Sequence, residues 1–173
     1  SKFSLIFAVA QKNLGPAGAT MVIIKKSFLK DPVRPLPGIL SYKEMAANNS
    51  LVNTAPVFPI YVSLLNLRYM ASKGLKQIEL ENNEKADLLY NFIDNSDLYY
   101  GVCEKDSRSK MNVCFRLKEE HLEKVLLDFT EKNNITGIKG HRSVGGFRVS
   151  LYNAITIADV AYLIEILDTF EKM

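Results

Sequence analysis

Two kinds of hydrophobic pattern divide the chain. Near the start the apolar residues run continuously: Leu5 to Ala10 and Thr20 to Ile24 each read as a short buried strand. A polar, glycine-rich turn, Gln11 to Gly18, separates them and carries one lysine, Lys12, at its opening. Helical spacing follows. Val57 to Ser72 has apolar residues at 57, 58, 60, 61, 64, 65, 67 and 69, too broad a set for a surface stripe, which predicts a well-buried helix ended by Gly74. Lys76 to Asp94 places Ile78, Ala86, Leu89, Phe92 and Ile93 largely on one side, and Asn95-Ser96 stops it. From Leu98 the order is strand (Leu98 to Val102), polar loop (Glu104 to Lys110), strand (Asn112 to Leu117), amphipathic helix (Glu119 to Lys132), strand (Gly146 to Tyr152) and a last helix, Thr156 to Glu171. Thr156 caps that helix, with Asp159 at the capping-box position.

The remaining stretch is irregular. Lys25 to Asp31 is a short polar, helical-looking piece, and Pro32, Pro35, Pro37 and Gly38 break regularity after it. Asp31 to Ser50 therefore reads as a connection holding one turn of helix at Tyr42 to Ala47. Asn53-Thr54-Ala55-Pro56 has the form of a helix start, a capping Asn or Thr with Pro in the first turn. These elements predict an α/β protein. Residues from about 96 onward, three strands with two helices on one face, bury a core of their own. The first two strands do not, and need other strands beside them. The two central helices read as the connection from one part to the other, with a division at residues 1–75 and 76–173. No internal repeat is visible.

Composition adds exclusions. At 47% hydrophobic and 24% charged, the 173 residues have an ordinary globular balance. A net charge of +3 without a basic run gives no argument for nucleic acid. No apolar stretch nears the roughly 20 residues of a membrane helix, so no membrane partner is expected. Ser1-Lys2 before a short apolar run does not read as a signal peptide. Cys103 and Cys114 read as free buried thiols, and the absence of Cys-x-x-Cys or His-x-x-x-His spacing argues against a metal. A reducing cytoplasm is the default.

Three segments are candidates for chemistry. Lys12 at the mouth of a buried strand would be desolvated, which lowers the pKa as a nucleophilic lysine requires; the ordinary alternative is a solvated loop lysine. Gly15, Pro16 and Gly18 fix a tight turn that lets backbone approach whatever the lysine holds. Asn53 and Thr54 are either plain caps or amide and hydroxyl donors to a phosphate at a helix start. In Gly140 to Ala154 a Gly-Gly turn feeds a strand, with His141, Arg142 and Arg148 within eight residues. Arginine forks match carboxylate and phosphate oxygens in two-point geometry; the alternative is a solvated hairpin.

All three segments resemble one family. Gln11-Lys12-Asn13-Leu14-Gly15-Pro16-Ala17-Gly18 is similar to the cofactor-lysine segment of the phosphoserine aminotransferases. Asn53-Thr54-Ala55-Pro56-Val57-Phe58 resembles that family's Asn-Thr-Pro-Pro-Thr-Phe element, departing from it at Ala55 and Val57. Gly140 to Ala154 resembles its Gly-His-Arg-x-x-Gly-Gly-x-Arg-x-Ser-x-Tyr-Asn-Ala signature, and Ser107 to Val113 and Leu88 to Ser96 add supporting matches. The resemblance is to the family's C-terminal half. It implies the fold-type I, aspartate-aminotransferase-like fold of enzymes dependent on pyridoxal 5'-phosphate. Residues 1–75 would then end the cofactor-binding large domain, and residues 76–173 would form a small C-terminal α/β domain. By the same resemblance Lys12 is the catalytic, cofactor-holding residue and Gln11 lies against the cofactor. Asn53 and Thr54 reach the cofactor phosphate of the other subunit of a homodimer whose active site is at the interface. Arg148 takes the substrate α-carboxylate, and His141 and Arg142 lie near its phosphate. The implied reaction exchanges glutamate and 3-phosphohydroxypyruvate for 2-oxoglutarate and phosphoserine, the serine route, with vitamin B6 synthesis as a related use. The resemblance leaves a second reading open, a catalytically inactive truncated fragment or domain that lacks the amino-terminal half of the active site, and it admits a separate amino-terminal half as a partner.

Overall fold

A computed structural model describes residues 2–173, which form two compact units, residues up to Ser72 and Lys73–Met173. In the first unit β1 (Leu5–Val9) pairs antiparallel with β2 (Thr20–Ile24), Leu5 opposite Ile24 and Val9 opposite Thr20. Single 3-10 turns follow at Lys26–Phe28 and Gly38–Leu40, then α1 (Tyr42–Ala47), whose first turn is held by Ser41 Oγ accepting from the Glu44 N–H. Helix α2 (Val57–Lys73) runs to the division between the units.

The elements of this unit lie where the pattern predicts them, but their burial differs. Every residue of β1 and β2 is at least partly exposed, and Ala10 is the one buried hydrophobic residue of the unit among those described. No residue of α2 is buried, and Phe58 stands 70% exposed. An apolar pattern states what a segment needs to have covered, not what covers it. Here a two-stranded ribbon, without a third strand among the described residues, leaves both faces and both edges open. The helix start also differs. Asn53 and Thr54 do not cap α2: the Pro56 carbonyl accepts from the Ile60 N–H, and the Asn53 amide donates to the Thr54 carbonyl at 3.1 Å.

The second unit is a three-stranded antiparallel sheet in the order β3 (Tyr99–Gly101), β4 (Asn112–Leu117), β5 (Phe147–Ser150). Alternation sorts β4 cleanly: Val113, Phe115 and Leu117 are buried, whereas Asn112, Cys114 and Arg116 are only partly so. The buried face carries the core, in which Phe115 meets Tyr99 edge-on at 5.6 Å and stacks on Phe147 at 5.1 Å. Three helices supply the other side of that core, α3 (Leu75–Asn95), α4 (Glu123–Lys132) and α5 (Ile157–Glu171), where the sequence predicts two. The additional one is α3, expected as a connector. Ala86, Leu89, Tyr90 and Ile93 form a stripe on it that joins the core.

Local signals in this unit are realised as expected. Thr156 Oγ1 accepts from the Asp159 N–H, and the Asp159 carboxylate accepts from the Thr156 N–H, closing the capping box of α5. Arg108 fastens the long β3–β4 loop to α3. Its guanidinium donates to both Asp94 oxygens at 2.7 and 2.8 Å and lies 4.5 Å from the Tyr90 ring centre. That pairing raises the Arg108 pKa and holds the Asp94 carboxyl below its usual range.

Candidate active site

The Lys12 turn is closed by one acceptor. The Ala10 carbonyl takes the Lys12 N–H at 2.6 Å and the Gly15 N–H at 2.7 Å, while the Ala10 N–H reaches back to the Ala19 carbonyl. The turn is seated on α2. Asn66 donates its side-chain amide to the Asn13 carbonyl, and Gly15 and Gly18 lie against Ser63 and Pro59. A Cβ on Gly15 would stand 2.5 Å from Ser63 Oγ, and one on Gly18, at φ +116°, 2.9 Å from Pro59 Cγ. The two glycines therefore allow a close approach to a helix, where the sequence suggests an approach to a ligand. The side chains of Gln11 and Lys12 are both exposed and have no hydrogen-bond or ion-pair partner among the described residues. Lys12 is thus a solvated lysine here and not a desolvated one, because the strand that leads to it is itself uncovered.

Asn53 and Thr54 are exposed, and no hydrogen bond among the described residues links them to the Gln11–Lys12 turn. Within the second unit the structure does gather predicted residues. A hollow of about 200 Å³ is bordered by Val102, Cys114, His141, Val144 and Arg148. Arg148 sits opposite Cys114 in the β4–β5 ladder, so both side chains share the sheet face turned from the core. The Arg148 side chain is exposed, with no hydrogen-bond or ion-pair partner among the described residues, and its charge is felt by the Cys114 thiol beside it. His141 is fixed by its own turn: the Ser143 N–H donates to Nδ1, which also shares a 2.8 Å hydrogen bond with Ser143 Oγ. With Nδ1 accepting a backbone proton, the neutral ring carries its own proton on Nε2. Arg142 is exposed on the same turn but does not border the hollow.

Two residues of this region are missed by the sequence reading. Arg116, on β4, donates to the Val144 carbonyl and ties down the 141–146 loop. Its stem packs where Gly146 has no side chain: a Cβ there would stand 2.7 Å from Arg116 Cγ and 2.8 Å from the Phe115 carbonyl, at φ +62°. Cys114 is the second. It is half-buried and Cys103 exposed, both free, so neither is the fully buried thiol expected. Burial pushes the Cys114 thiol up. The alternation of β4 puts Cys114 and Arg116 on one face, but only the pairing register sets them beside Arg148 and the glycine turn.

A family model described as aminotransferase class-V matches residues 2–163. The chain belongs to the class-V aminotransferase family. Among curated members it is 47% identical over 174 residues to the phosphoserine aminotransferase of Desulfosudis oleivorans, covering 99% of this chain and 48% of that protein. It is 48% identical over 176 residues to a probable phosphoserine aminotransferase of Dictyostelium discoideum, covering 99% of this chain and 47% of that one. The solved phosphoserine aminotransferase from Bacillus circulans subsp. alkalophilus superposes with a TM-score of 0.94 at 41% identity, covering 98% of this chain and 48% of that chain. A PLP-bound phosphoserine aminotransferase from Trichomonas vaginalis gives a TM-score of 0.89 at 35% identity, covering 95% and 48%. The class-V chain thus spans about half the length of the relatives it matches, and its fold is that of the fold-type I aminotransferases. No helix among its described residues is long and apolar enough to cross a membrane.

Proposed function

We propose that this chain is the C-terminal half of a phosphoserine aminotransferase, exchanging the amino group of glutamate with 3-phosphohydroxypyruvate to give phosphoserine and 2-oxoglutarate in serine biosynthesis. The observation that carries the reading is the match of nearly the whole chain to phosphoserine aminotransferases at above 40% identity. Within each unit the candidate side chains stand open: Lys12 is exposed on a closed turn, and Arg148 borders a hollow with His141.

The donor set fits pyridoxal 5'-phosphate. Lys12 offers a primary amine to its aldehyde, Gln11 an amide beside it, and Asn53 and Thr54 an amide and a hydroxyl to its phosphate. When bound, that group supplies the amino-carrier and electron-sink chemistry. Lys12 holds it between turnovers and moves the substrate α-proton as general acid and base. Arg148 binds and orients the α-carboxylate through its fork, while His141 and Arg142 serve the substrate phosphate. Asn53 and Thr54 act across the interface of a homodimer, residues 1–75 form the end of the cofactor domain, and residues 76–173 form the small domain. The protein works in the cytoplasm on small-molecule substrates.

A second reading, that this chain alone is silent and requires an amino-terminal half, is favoured by the bare apolar faces of β1, β2 and α2. Both readings are tested by measuring 2-oxoglutarate formation by the chain alone and with a relative's amino-terminal half co-expressed. Turnover in the mixture that Lys12→Ala abolishes supports the assignment. Turnover that survives Lys12→Ala overturns it.

A further inference from the structure

Lys85 is the anomaly of the second unit. It sits on α3 among the core residues, 2% exposed, and among the described residues no carboxylate lies within ion-pair distance of it. Its ammonium instead donates to two backbone carbonyls, those of Tyr152 and Ile155, each at 2.9 Å. Three residues earlier on the same helix, the Asn82 amide donates to Asn153 Oδ1 at 3.0 Å. Glu81, one turn earlier, pairs with Lys73 and acts on the Lys85 ammonium only from beyond ion-pair distance. Burying an ammonium with no carboxylate in contact is costly, and an apolar side chain of similar length would fill the space without that cost. The depressed pKa of Lys85, caused first by burial, expresses the same cost.

What the ammonium grips explains its presence. Tyr152 to Ile155 is the turn that leaves β5, closed by the Ile155 N–H on the Tyr152 carbonyl at 2.9 Å and followed at once by the Thr156 cap of α5. The fully buried Leu151, between turn and strand, donates its N–H to the Met111 carbonyl at 2.7 Å. β5 is only four residues long, and Arg148 is its second residue. A strand so short takes its register from its ends. One end is the glycine pair at positive φ; the other is this turn.

We infer that Lys85 and Asn82 form a latch on the Tyr152–Ile155 turn that fixes the register of β5 and so the direction in which Arg148 is presented. Lys85 is a positioning residue acting through β5. The inference rests on the reading of Arg148 as the carboxylate-binding residue only for its functional consequence. The latch itself is a statement about the turn and the strand.

The test uses the whole 173-residue chain, isotope-labelled, as wild type, Lys85→Met and Asn82→Ala. Two quantities are followed: amide hydrogen exchange along unit 2, and the shift of the Arg148 Nε resonance on titration with glutamate. In Lys85→Met, exchange at Asn153 to Ile155 and at Arg148 should rise by about tenfold or more while Leu89 and Leu126 change little, the signature of a local opening. The glutamate-dependent shift of Arg148 should weaken by a similar factor. Asn82→Ala, which removes one hydrogen bond and no charge, should give a smaller change at the same amides, and carries the test if Lys85→Met does not fold. Exchange that rises uniformly through unit 2, or an unchanged Arg148, overturns the latch. If glutamate fails to move Arg148 in the wild type, this chain alone does not bind the carboxylate, as the second reading expects, and exchange alone decides the latch.

Discussion

Tyr99 is where single-residue physics is plainest. It is 1% exposed, its hydroxyl donates to the Leu167 carbonyl at 2.9 Å, and burial drives its phenol far above the ordinary range. An unfolded tyrosine ionises near pH ~10, so above that only the unfolded state releases the proton and stability falls as pH rises. Tyr90, also raised chiefly by burial, acts with the same sign. Lys85 acts oppositely. Its folded pKa lies below that of a free lysine, so stability gains as pH rises through the folded value towards ~10.4. Tyr99→Phe should therefore flatten the loss of stability above pH ~10, at a cost near neutrality of about 1 kcal/mol for the lost hydrogen bond. Denaturant unfolding of wild type and variant across the alkaline range checks this, and an unaltered slope would count against the assignment. The candidate residues themselves were legible in the sequence as motifs, because Gln11, Lys12, His141, Arg142 and Arg148 flank glycines that a turn needs and Asn53-Thr54 precedes a helix-starting proline. Their surroundings were not: Lys12 reads as desolvated only if its strand is covered, and coverage depends on residues far away in sequence.

At the scale of elements, the glycine turn before β5 carries the strongest constraint. Gly146, at positive φ and with backbone and Arg116 both within 3 Å of where a Cβ would go, has no room for alanine. Gly146→Ala should destabilise unit 2 by roughly 2 kcal/mol or more and distort the hollow beside Arg148. Thermal unfolding measures the first effect, and a small change would mean that the loop relaxes freely. Gly15→Ala tests the seating of the Lys12 turn on α2. It should destabilise unit 1, and Ser63→Gly on the same chain should restore much of the loss, since Ser63 Oγ is the nearest obstacle. Absence of rescue would mean that the backbone of α2, not the serine, sets the limit. Element types and the α5 capping box were readable because propensity, caps and turn residues are local. The membership of α3 in the second core was not, since a helix with one apolar stripe looks the same whether it connects or packs.

For the whole molecule, apolar burial is distributed unequally. Almost all buried hydrophobic residues belong to unit 2, while β1, β2 and α2 leave Phe7, Ile23, Phe58 and Tyr61 exposed. Native-state hydrogen exchange of the isolated chain should therefore find unit 2 protected as one cooperative block and unit 1 opening at much lower free energy. Equal protection of both would show that unit 1 finds cover in solution, and a concentration dependence would identify that cover as a second copy. The reading that two strands need others beside them was available from strand number alone, whereas the bareness of α2 was not, because its sequence is that of a buried helix. The central claim, that this chain brings the cofactor-holding lysine of an aminotransferase, is tested most directly by adding pyridoxal phosphate, recording the absorption spectrum, reducing with borohydride and mapping the modified peptide. The account predicts a new long-wavelength band and a label concentrated on Lys12. Absence of a band, or a label scattered over the surface lysines, would contradict the claim for this chain.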